Sequence, residues 1–277
     1  MTARRLDVEL VARGLARSRT QARELITSGA VLLDGRRATK PAHPVDEASD
    51  IGLTREPDRW VGRAALKLLH ALETWPIDPT GKRCLDVGAS TGGFTQVLLE
   101  RGAAHVTALD VGHDQLVASL AKDPRVTDLP GTNIRAVDAP SLGGAFDLVV
   151  SDLSFISLTI ALPAMRPLVA DHGDLVVLVK PQFEVGRERL GRRGVVTSSH
   201  EHRRVLRDVA GVAADLGLEL RGITPSPITG ADGNREFLFW LTPATSVTSV
   251  TSATPRGAAG QSPVDDMLEA IDPEGDQ

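Results

Sequence analysis

The feature that most constrains this chain is a regular alternation of short apolar runs with longer amphipathic stretches between residues 83 and 179. Such runs have the length of buried strands, and the stretches between them can form helices. The pattern predicts strands at 83–87, 104–110, 146–151 and 174–179 and helices at 93–101, 113–121 and 157–169. Because each crossover helix returns the chain to the same edge, strands in this arrangement form parallel sheets. We expect an α/β fold with a doubly wound parallel sheet covered on both faces.

Further elements flank this series on both sides. A helix with one apolar face is predicted from Arg63, and its apolar positions are Ala65, Leu68, Leu69 and Leu72. After the series, a helix at about 199–216 precedes two strands in LELRGITPS and REFLFWL. We therefore assign residues 63–243 to one domain, which has an ordinary size for a single hydrophobic core.

The first 58 residues have the pattern of a small α+β domain. Residues 4–16 suit a short helix, and a second helix is predicted from Ser18, where Ser18 and Gln21 form a capping box. Its apolar face contains Ala22, Leu25 and Ile26, and it ends at Gly29. The segment AVLLDGRRAT then predicts a hairpin with an Asp34-Gly35 turn. The proline-bearing stretch 41–62 has the character of a linker, and the boundary itself is placed at 59–62.

Charge is distributed unevenly along the chain. Residues 1–40 contain nine Lys or Arg and four acids, whereas residues 243–277 contain six acids and one Arg. The stretch from 244 to 277 is rich in Ala, Ser, Thr and Gly and lacks a core pattern, so we predict a disordered acidic tail. Within it, VDDMLEAI could form one short amphipathic turn of helix.

Several classes of protein are disfavoured by composition. The chain has no apolar run near the ~18 residues of a membrane helix and no signal-peptide core after its first residues. Cys84 is the single cysteine, which predicts a buried thiol in a reducing cytoplasm. No Cys/His cluster has the spacing of a metal site. We expect a cytoplasmic protein that binds no metal and is monomeric.

A glycine-containing loop follows the first strand of the series, in LDVGASTGGFT. It lacks the Gly-Lys-Ser/Thr ending of a phosphate loop, and its glycines at 88, 92 and 93 do not match the G-x-G-x-x-G of dinucleotide sites. Asp110 ends the second strand, where a carboxylate can accept both hydroxyls of a ribose. Since NAD and S-adenosylmethionine both contain that ribose, Asp110 by itself does not choose between them.

Charged residues close two of the predicted strands. Asp152 ends FDLVVSD, and Lys180 ends GDLVVLVK. Charges at the carboxyl edge of a parallel sheet converge on one cleft, where they are costly unless they are paired or used. A structural ion pair at the sheet edge is the alternative. Lys67 and Glu236, taken separately, could be a solvated lysine and an edge-strand charge.

The amino-terminal segments RLDVEL and SRTQARELITSGAVLLDG resemble the S-four-type RNA-binding domain over residues 4–50. Composition alone leaves open whether the basic side chains form a solvated face or a contact surface for phosphates. Arg19 and Arg23 lie four apart on one helical face and repel each other unless an anion lies over them. The resemblance implies RNA binding by Arg4, Arg5, Arg17, Arg19, Arg23 and Arg36.

Residues 60–242 resemble the FtsJ-type 2′-O-methyltransferases, and the whole chain resembles the TlyA family, whose members are named hemolysins or ribosomal RNA cytidine 2′-O-methyltransferases. The motifs are LDVGASTGGFT, DVGHDQL, SDLSFISL, LVKPQFEVG and GNREFLFWL. The resemblance implies a Rossmann-like methyltransferase sheet, S-adenosylmethionine as cofactor, ribosomal RNA or ribosomal subunits as partner, and a catalytic tetrad of Lys67, Asp152, Lys180 and Glu236. It also implies that the cofactor site is formed by Gly88, Ala89, Ser90, Gly92, Gly93, Phe94, Thr95, Asp110, Val111, Asn133 and Asp152.

In such a site Lys180 is expected nearest the ribose 2′-hydroxyl, as a base or as an orienting donor. The following loop, FEVGRERLGRRG, is expected to contact RNA phosphates through Arg187, Arg192 and Arg193, the alternative being a mobile surface loop. Phe183 is interpreted as a core residue, with base stacking as the alternative. Departures from the family pattern occur at Asp58, Gly62, Ala64 and Leu66. A catalytically silent ribosome-binding protein and a membrane-lytic protein are the rival functions.

Overall fold

The computed structural model describes residues 4–16, 19–54, 59–191, 194–244 and 263–271. The chain divides into two units, Met1–Arg59 and Trp60–Gln277. The boundary between the two units adjoins residues 59–62, where the linker is predicted. Each unit buries its own apolar side chains, so each is described by itself.

The described residues of the amino-terminal unit form two helices and five short strands. Its elements are β1 Arg4–Arg5, α1 Leu6–Ala12, α2 Arg19–Thr27, β2 Val31–Leu33, β3 Arg36–Arg37, β4 Pro44–Val45 and β5 Ile51–Leu53. Strand β1 pairs antiparallel with β4, and β2 lies between β3 and β5 in an antiparallel sheet.

The predicted pattern of α2 and its hairpin is confirmed. Ala22, Leu25 and Ile26 are buried, and the helix ends before Gly29, whose φ of 72° needs the left-handed conformation that glycine adopts without strain. Asp34 and Gly35 both have positive φ, at 48° and 75°, as a tight turn of two residues requires. Ser18, the predicted cap, lies outside the described residues.

The prediction of a linker over residues 41–62 is wrong in part. Residues 41–54 belong to the amino-terminal unit and contain strands β4 and β5. Val45 and Ile51 are buried against the core of this unit. Strands of two or three residues are too short to show an alternating pattern. Pro44 is tolerated because β4 pairs with β1 alone, so no ladder on its other side needs its missing N–H.

The carboxy-terminal unit alternates strands with helices along most of its length. Its elements are α3 Ala65–Thr74, β6 Arg83–Val87, α4 Gly93–Glu100, β7 His105–Leu109, α5 Ala118–Ala121, β8 Val126–Leu129, β9 Phe146–Ser151, α6 Leu158–Met165, β10 Val169–Val179, α7 Pro181–Glu184, α8 Ser199–Asp215, β11 Leu218–Pro225, β12 Phe237–Pro243 and α9 Pro263–Ile271. Short 3-10 helices lie at Ile134–Ala136, Arg166–Leu168 and Arg187–Arg189.

Seven strands form one sheet in the order β11-β12-β10-β9-β6-β7-β8. All neighbours from β10 to β8 are parallel, whereas β12 is antiparallel to both β10 and β11. The chain moves outward from β6 through β7 to β8 and then returns to β9, on the other side of β6. The strand order therefore reverses between β6 and β9, and the carboxyl ends of these two strands form the crevice where sheets of this kind bind ligands.

The sheet is buried on both faces, and its side chains alternate between two cores. Leu85, Val149 and Val177 point into the core that contains α6 and α8. Their neighbours Cys84, Leu148 and Val176 point into the opposite core, with α3 and α4. Because successive residues of a strand face opposite sides, continuous apolar runs are needed here. The predicted doubly wound α/β fold is confirmed.

Three predicted elements differ in extent. The helix at 113–121 is reduced to α5, because Asp114 has a φ of 54° and Val117 is extended. The helix at 157–169 ends at Met165, since Pro167 cannot continue the helical hydrogen bonds. Strand β10 is longer than predicted and contains an irregularity between Val169 and Asp174. The sheet is mixed rather than wholly parallel because the loop joining β11 to β12 has no crossover helix.

The short helix considered for VDDMLEAI is present as α9, Pro263–Ile271, so the prediction of disorder is wrong for this part of the tail. Leu268 is 2% exposed and belongs to the core beneath α8 and β11. Arg207 of α8 forms an ion pair with Asp265 of α9 at 2.6 Å. A nine-residue helix is marginal in isolation, so docking against the sheet stabilises a segment that its own sequence could not.

We expect Leu268→Ala to release α9 while leaving the sheet intact. Truncating a buried leucine costs about 2–5 kcal/mol, which is more than a short peripheral helix can lose. Hydrogen exchange of 263–271 should accelerate strongly, and exchange in β9 and β10 should stay near wild type. Asp266→Asn, on an exposed residue of the same helix, is the matched control. Unchanged exchange in Leu268→Ala would show that α9 does not depend on this contact.

Candidate active site

Four charged residues meet at the edge of the sheet where the parallel strands end. Asp152 follows β9, and Lys180 follows β10. Glu236 directly precedes β12, and because that strand is antiparallel its beginning lies beside the end of β10, with Phe237 opposite Val179. Lys67 reaches the same point from the first turn of α3. The reversed direction of β12 thus places Glu236 with the other three.

The four side chains form a continuous chain of ion pairs. Glu236 Oε2 lies 2.7 Å from Lys67 Nζ, which lies 3.3 Å from Asp152 Oδ2. Asp152 Oδ1 lies 2.7 Å from Lys180 Nζ. All four side chains are between 2% and 12% exposed. Two positive and two negative charges therefore balance in a largely dehydrated cluster, where each interaction is stronger than in water.

Lys180 has a second polar contact that sequence reasoning missed. Its Nζ donates a hydrogen bond to Ser154 Oγ at 2.9 Å. The side chain of Ser154 is exposed, whereas that of Lys180 is buried. A serine three residues after a strand gives no signal of this contact in one sequence, and the contact exists only because β9 and β10 are neighbours.

The loop before β12 packs closely against the carboxylate of Glu236. A Cβ at Gly230 would lie 2.8 Å from Glu236 Oε1, so a side chain there would displace the carboxylate. Asn234 is buried; its Oδ1 accepts a hydrogen bond from Val196 N, and its Nδ2 donates one to the carbonyl of Gly194. These contacts tie the loop to the segment that precedes α8.

A cavity of about 510 Å³ lies beside the tetrad, in the crevice between β6 and β9. Asp152 and Ser154 belong to its wall, so the cavity and the four charges share residues. The cavity is lined by Gly88, Ser90, Leu109, Asp110, Val111, Gln115, Asn133, Ile134, Asp152, Leu153, Ser154, Phe155 and Ile156.

The glycine loop contributes Gly88 and Ser90 to the wall of this cavity. Gly88 has a φ of 87°, and a Cβ there would lie 2.9 Å from the carbonyl oxygen of Asp152. Asp110 accepts hydrogen bonds from the backbone N–H groups of Ser90, at 2.8 Å, and Gly112, at 2.7 Å. One carboxylate thus fixes the loops after β6 and β7 around the crevice.

Five residues expected to bind cofactor do not line the cavity of the described structure: Ala89, Gly92, Gly93, Phe94 and Thr95. Phe94 is buried in the core beside α3, and Gly92 leaves room for Leu116 and Leu120. Gly93 packs against the start of α3, and Ala89 is buried in the loop. The motif combines ligand-facing positions with packing positions, and the sequence shows no difference between them.

Thr95 has a different task, since its hydroxyl donates a 2.7 Å hydrogen bond to the buried carboxylate of Asp86. Burial raises the pKa of Asp86 to about 7, and the negative charges of Asp152 and Asp110 act in the same direction. Asp86 Oδ1 is buried and has no hydrogen-bond partner among the described residues. A buried acceptor of this kind is costly unless a donor reaches it.

The remaining predicted cofactor residues have distinct environments. Val111 is 66% exposed on the cavity wall. Asn133 also lines the cavity, but its side-chain oxygen accepts a hydrogen bond from Arg135 N and caps the following 3-10 helix. Ser90 is held by its backbone bond to Asp110 and contacts Gln115 through its hydroxyl at 3.1 Å.

An aromatic pair lies next to Lys180. The rings of Phe155 and Phe183 are 5.2 Å apart, and Lys180 Nζ lies 5.8 Å from the Phe183 ring centroid. Phe155 is 91% exposed and has a φ of 65°, an uncommon conformation for an aromatic residue. Phe183 is half-buried, so its interpretation as a core residue is only partly right. Glu184 secures the same loop, because its carboxylate accepts a hydrogen bond from Leu158 N at 2.7 Å.

Two of the departures from the family pattern, Gly62 and Ala64, lie near the glycine loop. A Cβ at Gly62 would lie 2.9 Å from Thr91 Oγ1. A Cβ at Gly93 would lie 3.3 Å from the Cβ of Ala64, so both positions need small residues. Leu66 is 41% exposed. Asp58 lies outside the described residues.

In the amino-terminal unit, four of the predicted RNA-binding arginines contact carboxylates. Asp7 pairs with Arg5 at 2.9 Å, Arg23 at 3.2 Å and Arg19 at 3.3 Å. The side chain of Asp7 is fully buried, and its arginine partners hold the pKa of this carboxyl well below its usual range. Arg4 contacts Glu9 at 3.5 Å.

Five other arginines are predicted to contact RNA, and the structure gives less information about them. Arg36 is exposed on β3. The backbone of Arg187 lies in a 3-10 helix, whereas Arg17, Arg192 and Arg193 lie outside the described residues. The anion that Arg19 and Arg23 require is thus supplied by Asp7, whose role sequence reasoning missed.

The described ranges contain neither a membrane-spanning helix nor a cluster of metal-binding side chains. None of their helices combines the length and the apolar character that crossing a bilayer requires. No three His, Cys, Asp or Glu side chains in those ranges come close enough together to hold a metal ion.

Comparison with known proteins agrees with this geometry. The model of the FtsJ-like methyltransferase family matches residues 60–242, and that of the S4 domain matches residues 4–51. The chain is 51% identical to the 16S/23S rRNA (cytidine-2'-O)-methyltransferase TlyA of Mycobacterium tuberculosis, with 86% of this chain and 89% of the relative covered. It is 36% identical to Hemolysin A of Brachyspira hyodysenteriae, with 84% and 98% covered.

A solved structure gives the same result. A candidate hemolysin from Streptococcus thermophilus superposes with a TM-score of 0.68 at 36% identity, over 98% of this chain and 96% of that one. The family models, the sequence identities and the superposition lead to one assignment. The chain belongs to the FtsJ-like methyltransferases and, among them, to the TlyA family.

Proposed function

We propose that this protein transfers a methyl group from S-adenosylmethionine to the 2′-hydroxyl of a cytidine ribose in ribosomal RNA. The observation that carries the proposal is the contact between the tetrad and the cavity, which share Asp152. The name of the Mycobacterium tuberculosis relative supplies the nucleotide and the substrate class. A ribosomal substrate would place the activity in the cytoplasm.

The residues around the cavity fit S-adenosylmethionine. The carboxylate of Asp110 accepts two backbone hydrogen bonds and a longer one, of 3.4 Å, from Gln115 Nε2, and the ribose hydroxyls would take the place of the Gln115 amide. Val111, Ile134 and Leu153 supply apolar surface for the adenine. Asp86 Oδ1 lacks a donor, and the bare backbone at Gly88 allows close approach. The amino-acid part of the cofactor carries an ammonium group that suits this acidic end.

In this reaction the protein has two tasks. It positions the 2′-hydroxyl against the methyl group, and it removes the hydroxyl proton. When bound, the cofactor supplies a sulfonium methyl that is already activated and leaves a neutral thioether behind. In its neutral amine form, Lys180 receives the proton of the 2′-hydroxyl on Nζ as the ribose oxygen forms its bond to the methyl carbon and the bond from that carbon to sulfur breaks, and the proton then passes to water. Asp152 orients Lys180, and Lys67 with Glu236 orients Asp152. Positioning can contribute ~7–11 kcal/mol and proton transfer roughly 10²–10⁴-fold.

The buried charges favour an enzyme over a silent RNA-binding protein. Burying an ion costs several kcal/mol even when it is paired, and apolar residues of similar volume are often more stabilising. Four such ions beside a cavity are typical of a functional site. RNA is supported as the substrate by the arginines of the amino-terminal unit and by the S4 match. The 2′-hydroxyl is the group that distinguishes RNA from DNA.

We expect Lys180→Ala to reduce methyl transfer by roughly 10²–10⁴-fold, because the nearest proton acceptor is removed. The assay uses ribosomal subunits from cells that lack the enzyme, tritiated cofactor, and mapping of 2′-O-methyl marks on the RNA. The wild-type protein should add the mark to cytidine. Affinity for S-adenosylmethionine, measured by calorimetry, should stay near wild type.

Lys122→Ala, which removes an exposed lysine after α5, is the control for the loss of one positive charge. Wild-type protein that transfers no methyl to any RNA, but causes leakage of lipid vesicles, would replace this proposal with a membrane activity. Lost cofactor binding in Lys180→Ala would assign that lysine to the cofactor instead.

We expect Asp110→Ala to weaken cofactor binding by at least about tenfold. The substitution removes the acceptor for the ribose diol and the carboxylate that joins the loops after β6 and β7. Calorimetry with S-adenosylmethionine measures the affinity, and Asp128→Ala, at an exposed position of β8, is the control. Equal affinity in Asp110→Ala and wild type would mean that the ribose lies elsewhere.

A further inference from the structure

Lys180 is held from two sides, and only one of the two partners belongs to the tetrad. Its Nζ lies 2.7 Å from Asp152 Oδ1 and 2.9 Å from Ser154 Oγ. A lysine nitrogen has three tetrahedral positions besides its bond to carbon. Ser154 accepts a hydrogen bond from one of them, and the Asp152 carboxylate, within ion-pair distance, attracts a second, so a single position remains.

The remaining position decides whether the nitrogen can accept a proton from a substrate, and from which direction. In the neutral amine, two N–H groups can donate to Asp152 and Ser154, which leaves the lone pair as the third direction. If either acceptor is absent, the amine rotates about its bond to carbon, and the lone pair loses its fixed direction. Both acceptors lie on the wall of the cavity, so the third direction is defined relative to that wall.

The loop that carries Ser154 is itself held in place. Glu184, four residues after Lys180, accepts a hydrogen bond from Leu158 N, so the segment after β10 secures the segment after β9. Phe155 has a strained φ of 65°, which such contacts must maintain. An exposed serine is therefore held at a defined position, rather than at the end of a mobile loop.

We propose that Ser154 is a positioning residue for Lys180: with Asp152, it directs the third position of Nζ at the 2′-hydroxyl that the proposed function places there. The inference rests on that function. It predicts that the Ser154 hydroxyl acts through Lys180 alone, not through the cofactor or the fold.

Ser154→Ala should lower the rate constant of single-turnover methyl transfer by about 3- to 10-fold, the effect of one hydrogen bond between neutral groups. Ser154→Thr keeps the hydroxyl and should restore most of the rate. The decisive variant combines Ser154→Ala with Lys180→Ala, since it should be no slower than Lys180→Ala alone. Ser28→Ala, an exposed serine of the other unit, is the matched control.

The outcomes separate the inference from the proposed function. Wild-type protein without methyl transfer would overturn the function itself. An active wild type with an equally fast Ser154→Ala variant would overturn only the role of Ser154. An additional loss in the double variant would also contradict it, because Ser154 would then act on the cofactor or substrate directly.

A second inference comes from the amino-terminal unit, where Asp7 gathers three guanidinium groups. Arg5 contacts both carboxylate oxygens, at 2.9 and 3.1 Å, while Arg19 and Arg23 contact Oδ2. The arginine side chains are 46–55% exposed, whereas that of Asp7 is fully buried. One carboxylate thus balances one of three positive charges, and the cluster retains a net charge of about +2 toward solvent.

This arrangement leaves donors free for an external anion. Each guanidinium has five N–H donors, of which Asp7 uses one or two. Without Asp7 the three cations would repel one another and move apart. We infer that Asp7 is a positioning residue that holds Arg5, Arg19 and Arg23 as one binding site for RNA phosphates, again resting on the proposed function.

The test is whether Asp7→Asn strengthens or weakens RNA binding. Asp7→Asn adds one unit of positive charge, so a simple charge model predicts tighter RNA binding. Positioning predicts the opposite, a loss of roughly 3- to 10-fold with a smaller salt dependence. Binding is measured with ribosomal subunits at several salt concentrations. Glu24→Gln, on an exposed acid of α2, is the matched control and should bind slightly tighter than wild type.

Since Asp7 is buried, circular dichroism establishes the temperature range in which Asp7→Asn is folded. Arg23→Gln and Arg36→Gln provide the test if no such range exists, because each removes one charge and only Arg23 contacts Asp7. A larger loss for Arg23→Gln supports the site. Equal losses, or tighter binding by folded Asp7→Asn, would contradict it. Wild type that binds no RNA would overturn the proposed function instead.

Discussion

The carboxylate of Asp152 is the interaction on which the site depends. It is the only member of the tetrad that contacts both lysines, through Oδ2 and Oδ1 respectively. Its backbone is equally constrained, since its N–H donates to the carbonyl of Val87 and its own carbonyl lies against Gly88. One residue therefore joins the end of β9 to the glycine loop, the lysines and the cavity. Displacing it would separate the proposed methyl donor from the proposed proton acceptor.

The two units use the same physical device for different purposes. In each, a carboxylate with little or no exposure holds cations that would otherwise repel one another: Asp152 holds two lysines, and Asp7 holds three arginines. The difference lies in the exposure of the cations. Both lysines are buried, where a fixed direction and a low dielectric serve chemistry. The arginines are half-exposed, where free donors serve the recognition of phosphates.

Much of the tetrad could be predicted from one sequence because strand ends are informative. Apolar runs that terminate in Asp152 and Lys180 place charges at one edge by the topology of parallel sheets. Lys67 and Glu236 followed only from a family resemblance, because a helix lysine and an edge-strand glutamate have common structural explanations. Ser154 and Asp7 gave no signal, since their importance lies in contacts between segments.

The glycine motif is a different case, because a motif does not show which of its residues line the cavity and which pack elsewhere. Phe94 and Thr95 belong to the motif as firmly as Gly88 does, yet one packs in the core and the other bonds to Asp86. The tail provides a similar case, because α9 is too short to be stable alone and forms only where Leu268 finds a core. Local patterns record which residues occur together but not which surface each one faces.

The sequence by itself determined the alternation of strands and helices, the two-unit division and the family, because periodicity, linker composition and long motifs are local properties. Only the tertiary structure decided that β12 runs backward and brings Glu236 to Lys67. It also decided that Ser154 meets Lys180 and that Asp7 gathers three arginines. The physical reason is that hydrogen bonds and ion pairs act over about 3 Å between atoms, whereas the residues that make them are separated along the chain by distances that no local pattern spans.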